Sequence, residues 1–184
     1  MKIQMEKPMN RRFLLIAAAC ATAFAPAAFA DDDISKNLVS NPNEGWSIYG
    51  AQTNKTIKDS TVQGGMASEV NVPHTGGNNW DASAQVNITR KVIKGDKIVA
   101  AVWLKSKTDT GAAATLHMRL QVNAAPYSAY GEQDVTVGSD WKLYSLEAKA
   151  DQDYSANTSV LVIHLNTGKQ TIDLGPAFVL DMGQ

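Results

Sequence analysis

Polar side chains that suit sugar hydroxyls alternate along one short run of this chain. In 115–123, His117, Arg119, Gln121 and Asn123 occupy every second position, between apolar residues. Side chains alternate across a β-strand, so the four would share one face. Their planar groups each make several hydrogen bonds, whereas a merely solvated face usually carries Lys, Glu, Thr and Ser. Gln85 takes an outward position in a second alternating run, 83–88. We expect these residues to line a ligand-binding face.

Aromatic residues near these runs provide the second half of sugar recognition. The apolar face of a pyranose ring stacks on a flat aromatic side chain without any need for charge. Trp80, Tyr127 and Tyr130 lie in loop-like sequence and are predicted to be exposed, and Trp103 faces away from the apolar side of its own run. Trp46 and Trp141 begin predicted strands, and for both we favour packing against the core.

Catalytic motifs are absent from the sequence. His74, His117 and His164 have no zinc-protease spacing, and the chain has no nucleophile elbow, phosphate-binding loop or dinucleotide fingerprint. One enzymatic alternative stays open: His117, Arg119 and Gln121, with Tyr127 or Tyr130, could abstract a proton from a uronic acid as a lyase does. A third hypothesis is a structural or adhesive matrix protein of the same fold.

The elements that must position these residues are predicted to be strands. Short alternating runs recur between Gly, Asn, Asp and Pro, which predicts an all-β chain folded as a two-sheet antiparallel β-sandwich, or jelly roll. The Gly-rich segment 72–79 is a long connection, and such loops are often functional. The predicted strands are 67–72, 83–88, 98–105, 115–123, 141–148, 158–166 and 176–182.

The N-terminus has the layout of a removable secretory signal peptide over 1–30. A basic segment precedes an apolar run that ends at Ala28-Phe29-Ala30, a site that signal peptidase accepts. Arg11-Arg12 and Cys20 leave a twin-arginine signal and a lipoprotein as weaker alternatives. We expect a periplasmic or extracellular protein with one domain over 31–184 and no contact with the membrane after cleavage.

Cleavage at Ala30 would also change the chemistry of the chain. It removes Cys20, the single cysteine, and leaves 13 Lys+Arg against 17 Asp+Glu, a formal net charge of −4. Disulfides and thiol catalysis are then excluded from the mature chain. An acidic chain without a basic stripe is also a poor match for nucleic acid.

Several features follow one another in a fixed order along the chain. They are Asn37, Glu44, Trp46, Gly64-Gly65, Trp80, Gln85, Gly95, Trp103, Trp141, Tyr144 and the closing run 171–180. Their order resembles the carbohydrate-binding modules of families 4, 9 and 22, which bind cellulose and xylan. The resemblance implies a jelly roll that binds a polysaccharide or oligosaccharide, commonly with a structural calcium ion, and it leaves open a role beside a separate glycan-active enzyme. For calcium it assigns Glu44 as an N-terminal ligand, but Gly175 stands where the family usually has Asp, and Asp173 is out of phase.

Overall fold

Two five-stranded antiparallel sheets make up the molecule in the computed structural model, which describes residues 35–107 and 113–184. The first sheet has the strand order β1-β4-β9-β6-β7, and the second has the order β2-β3-β10-β5-β8. The sequence-based prediction of an antiparallel β-sandwich is confirmed. The strands are β1 (Ser47–Gly50), β2 (Thr53–Lys58), β3 (Met66–Val72), β4 (Ala82–Asn87), β5 (Lys97–Ser106), β6 (Ala114–Val122), β7 (Ala129–Val137), β8 (Lys142–Lys149), β9 (Ser159–His164) and β10 (Gln170–Asp181).

Apolar side chains that alternate along the strands form the core between the two sheets. In β6, Leu116, Met118 and Leu120 are fully buried, while the residues between them point away from the core. In β5 the predicted inward set, Ile98 to Leu104 at every second position, is also fully buried. Burial of each such side chain is worth about 1.5–3 kcal/mol, so this pattern fixes which face of each strand is exposed.

Strands β2 and β7 have no counterpart in the sequence-based prediction, and β1 was indicated only by the strand start predicted at Trp46. All three lie at an edge of a sheet, where one side of the strand has no neighbour. Edge strands are more polar than central ones, and a charged or polar edge discourages pairing with other chains. The sequence TNKTIK of β2 illustrates why the alternation there is too weak to read.

The long connection between β3 and β4 is confirmed, and hydrogen bonds hold its end in place. A short 3₁₀ turn, Asn79–Asp81, begins with a capping box between Asn78 and Asp81. The side-chain amide of Asn166, itself buried, donates to the carbonyl oxygens of Thr75 (2.9 Å) and Asn78 (2.8 Å). These bonds fix the turn that carries Trp80, just before β4 begins.

The predicted signal peptide over 1–30, with Cys20, lies outside the described residues. Within the described ranges, no helix is both long and apolar enough to cross a membrane.

Candidate binding groove

The outward side of the first sheet carries most of the residues that the sequence singles out. Antiparallel pairing aligns them in rows that cross the central strands β4, β9 and β6. We call this surface the polar face. Its three central rows are Ser83–His164–His117, Gln85–Val162–Arg119 and Asn87–Val160–Gln121.

Two valines of the central strand β9 form the floor of the polar face. Val160 and Val162 point away from the core, yet neither has any accessible surface. The side chains of the neighbouring strands must therefore rise on both sides and cover them. We call the strip along β9, between the outward side chains of β4 and β6, the groove; its accessible surface is formed by those side chains.

His164 also belongs to this groove, although it was not among the predicted binding residues. Its ring centroid lies 5.7 Å from that of His117 and 6.2 Å from that of Trp80. Burial lowers the pKa of His164 to about 4, with further lowering by Arg119 and His117. His164 is therefore neutral near pH 7 and has one N–H donor and one acceptor nitrogen. The sequence does not indicate its outward position, because the residues before it, 160–163, are apolar on both faces of the strand.

Strand β7 supplies two carboxylates that contact His117 and Arg119. Asp134 Oδ1 lies 2.6 Å from His117 Nδ1, and Glu132 Oε2 lies 3.3 Å from Arg119 Nε. The Arg119 guanidinium also donates to the carbonyl oxygen of Tyr127 at 3.4 Å. These contacts orient Arg119 along the groove. Neither acid was predicted, because β7 itself was not.

Gln121 and Asn123 lie at the end of the polar face. Gln121 is only 5% exposed, and its Oε1 has no hydrogen-bond partner among the described residues. A buried acceptor without a donor costs about 1–3 kcal/mol. Asn123 follows β6 and is exposed at the hairpin to β7.

Three exposed aromatic side chains surround the groove. Trp80 is 58% exposed and Tyr127 is 52% exposed, as the sequence predicts. Tyr127 has a φ of 59°, a strained value for a bulky residue and one that recurs at functional sites. Tyr49 on β1 is the third and was not predicted. Burial raises its pKa, a hydrogen bond with Ser83 opposes the rise, and Tyr127 adds to it.

The structure separates Tyr130 and Trp103 from this site. Tyr130 was expected in an exposed loop, but it lies in β7, packs against the core and stacks on Tyr154 with ring centroids 4.7 Å apart. Burial raises the pKa of Tyr130 to about 12. Trp103 does face outward, but on β5 of the second sheet, where its indole donates to Gln63 Oε1 (3.2 Å). The core lies between Trp103 and the polar face.

Trp46 and Trp141 differ in how far they match the expected core packing. Trp46 packs against the core, and its indole donates to the carbonyl oxygen of Gly175 (2.8 Å). Trp141 is half-buried outside the core cluster, where its indole donates to Asp59 Oδ2 (2.9 Å). The Lys105 ammonium lies 5.6 Å from the centre of the Trp141 ring.

Solved structures that share this sandwich include carbohydrate-binding modules. A xylan-binding CBM22 domain of Paenibacillus barcinonensis Xyn10C aligns with a TM-score of 0.54 and 14% identity, over 76% of this chain and 87% of the other. The second cellulose-binding domain of Cellulomonas fimi β-1,4-glucanase C aligns with a TM-score of 0.57 and 15% identity, over 80% and 92%. The chain has the fold of carbohydrate-binding modules.

Other comparisons set the limits of this likeness. A GH51 α-L-arabinofuranosidase bound to arabinose aligns with a TM-score of 0.59 and 15% identity, over 74% of this chain but only 23% of the enzyme. The chain therefore spans less than a quarter of the length of that enzyme. No family model matches the chain, and no curated protein sequence is similar to it.

The residues present do not fit the calcium site that the resemblance implies. Glu44 is exposed in a turn, whereas Asp173 is fully buried on the second sheet with the Lys107 ammonium 3.5 Å away. A side chain at position 175 would collide, since an added Cβ would lie 2.8 Å from the Cβ of Trp103. Among the described residues, no three His, Cys, Asp or Glu side chains converge where they could hold a metal ion.

Proposed function

We propose that this chain binds polysaccharide without catalysis, through the polar face. The observation that carries the proposal is the polar face itself, in which planar hydrogen-bonding side chains of β4 and β6 lie beside exposed aromatic rings. Amide and guanidinium groups can bond pairs of hydroxyls, while Trp80 and Tyr127 offer stacking surfaces. The groove needs no ionised ligand and no metal to bind a sugar.

Two further points support glycan binding. The solved structures that share the fold include a xylan-binding and a cellulose-binding domain, by their own descriptions. The side chains also lie on the outward face of a sheet whose strands are fixed by the core, so the groove is formed before a ligand arrives. A pre-formed site loses less conformational entropy on binding.

The low pKa of His164 argues against a lyase reaction in which this residue is the base. A general base works best when its pKa is near the working pH. The pKa of His164, at about 4, makes it a weak base at neutral pH.

We also propose that the protein acts in the periplasm or outside the cell, beside a separate glycan-active enzyme. The signal-like N-terminus over 1–30 supports this location. Extracellular polysaccharide is the ligand that such a location would offer.

Affinity electrophoresis against glucans, xylans and uronate polymers tests the proposed function. We expect retardation by one or more polymers, with no new reducing ends and no absorbance from unsaturated uronates. Trp80→Ala should weaken retardation clearly, and Leu143→Ala, which removes an exposed apolar side chain from the second sheet, should not. Unsaturated products would establish the lyase alternative, and the absence of retardation by any polymer would leave the matrix role.

A further inference from the structure

A second cleft lies away from the polar face, between the loop 41–46, the start of β3 and the irregular centre of β10. Its volume is about 510 Å³, within the range of about 300–1,000 Å³ found for small-ligand sites. Its walls come from both sheets. None of the outward residues of the polar face lines it.

The cleft depends on a break in strand β10. The pairing of β10 with β5 shifts between Leu174 and Ala177, which takes Gly175 and Pro176 out of the ladder. The freed carbonyl oxygen of Gly175 accepts the indole hydrogen bond of Trp46 at 2.8 Å. This bond fixes one aromatic wall, and Phe178 on β10 lines the cleft as well.

Side-chain amides also line the cleft. Asn41, Asn43 and Gln63 line the cleft, and the backbone N–H of Asn43 donates to Asn41 Oδ1 (3.1 Å), which holds the turn. The lining as a whole contains aromatic, aliphatic, amide and hydroxyl groups, and none of its residues is charged. The polar face, by contrast, contains an arginine, two histidines and two carboxylates.

We propose that this cleft is a second saccharide-binding site, selective for neutral sugars. Aromatic and amide groups together match the apolar faces and hydroxyl edges of a sugar. A charged sugar entering the cleft would lose water without gaining an opposite charge, which is costly. The charge of the ligand is therefore what distinguishes this site from the polar face.

The four tryptophan indoles allow each surface to be followed separately by ¹⁵N NMR. Trp46 reports on the cleft, Trp80 on the polar face, and Trp103 and Trp141 on the outer side of the second sheet. The double variant Trp80→Ala/Arg119→Ala removes the groove contacts. When it is titrated with cellobiose, we expect the Trp46 indole peak to shift while that of Trp141 stays in place, and a galacturonate disaccharide to shift neither.

A pair of exposed methionines provides the matched variants. Met66 lines the cleft and Met182 does not. In the double variant, Met66→Arg should weaken cellobiose binding at the cleft, followed by the Trp46 peak, at least about tenfold. The added charge would lose its hydration in the occupied cleft. Met182→Arg should leave this binding unchanged.

Three outcomes would overturn the proposal. They are a Trp46 peak that does not move in the folded double variant, an equal shift in Met66→Arg, and a loss of self-association in Met66→Arg by analytical ultracentrifugation. The last would make the cleft a contact between copies of this chain. A Trp80 peak that stays in place in the unmodified protein while Trp46 shifts would count against the proposed function alone.

Discussion

Two side chains of the polar face, Arg119 and His117, depend on partners that lie on another strand. Arg119 and His117 come from β6, but their orientation is set by Glu132 and Asp134 of β7. An arginine that is held in one rotamer loses less entropy when it binds a ligand. At the scale of single residues, the groove is thus a set of pairs rather than a row of independent side chains.

Arg119→Ala should weaken glycan binding without unfolding the domain. A hydrogen bond from a charged group is worth about 1.5–3 kcal/mol, or roughly a tenfold to hundredfold loss of affinity. The Arg119–Glu132 pair involves an exposed carboxylate and should add little to stability. Affinity electrophoresis and thermal melting measure the two effects.

Lys97→Ala is the matched control for Arg119→Ala, since Lys97 is paired with Glu147 (2.8 Å) on the other sheet. It should alter neither binding nor melting temperature. A large drop in melting temperature for Arg119→Ala would instead assign Arg119 to the support of the sheet.

His164 should make the free energy of unfolding depend on pH between about 6.5 and 4. Its pKa is about 4 in the folded protein and 6.5 as an ordinary side chain, so the unfolded chain takes up the proton first. The stability that neutral His164 provides is complete above pH 6.5 and is lost as the pH falls towards 4. Urea unfolding of His164→Gln across this range should therefore give a flatter pH dependence.

The exposed His74 provides the comparison for this experiment. His74→Gln should keep the pH dependence of the unmodified protein. The same slope in both variants would contradict the assigned pKa of His164.

Among the elements, β7 joins the groove to the rest of the sandwich. Its outward residues complete the polar face, while Gly131 lies against Ala148 of β8, at the point where the two sheets meet. A strand that contacts the other sheet so closely has no room for a side chain at that position. Packing against Ala148, and not the backbone φ angle, therefore favours glycine at position 131.

Gly131→Ala should lower the free energy of unfolding by about 1–3 kcal/mol, the usual cost of overpacking. The added Cβ would lie 2.5 Å from the Cβ of Ala148, well inside van der Waals contact. Gly138→Ala, where a Cβ would meet nothing within 4 Å, should leave stability nearly unchanged in the same urea titration. Equal stability of the two variants would mean that β7 and β8 can move apart freely.

The central strands could be predicted from the sequence, whereas of the four edge strands only β8 was among the predicted runs. Strands such as β5 and β6 bury one face completely, so their alternation is strong. At β7, the residues Glu132 to Asp134 are all exposed, and no burial constrains their order. The same difference explains why Arg119 was predicted and Glu132 was not.

At the scale of the whole molecule, the closing strand β10 contacts both the N-terminal loop and a neighbouring lysine. Gly175 offers its carbonyl oxygen to Trp46, and buried Asp173 lies beside Lys107. Burial raises the pKa of Asp173, and the lysine opposes this rise. The N-terminal loop is therefore attached to the second sheet by an indole hydrogen bond.

The melting temperature should be the same in excess calcium chloride and in EDTA. A ligand that binds only the folded state raises its stability, so a calcium-dependent module would melt higher with calcium. The mismatch of Glu44, Asp173 and Gly175 with a calcium site predicts no such change. A clear rise on adding calcium, by differential scanning fluorimetry, would contradict this prediction.

The sequence by itself determined the sandwich, the inward faces of its central strands, and the polar row of β6. Alternation with a period of two is a local property, and burial enforces it residue by residue. Only the tertiary structure decided which rows meet across strands. It brought His164 and Tyr49 to the groove, moved Trp103 to the other sheet and buried Tyr130 against Tyr154. These outcomes depend on strand order and register, which join residues far apart in the chain and leave no local pattern.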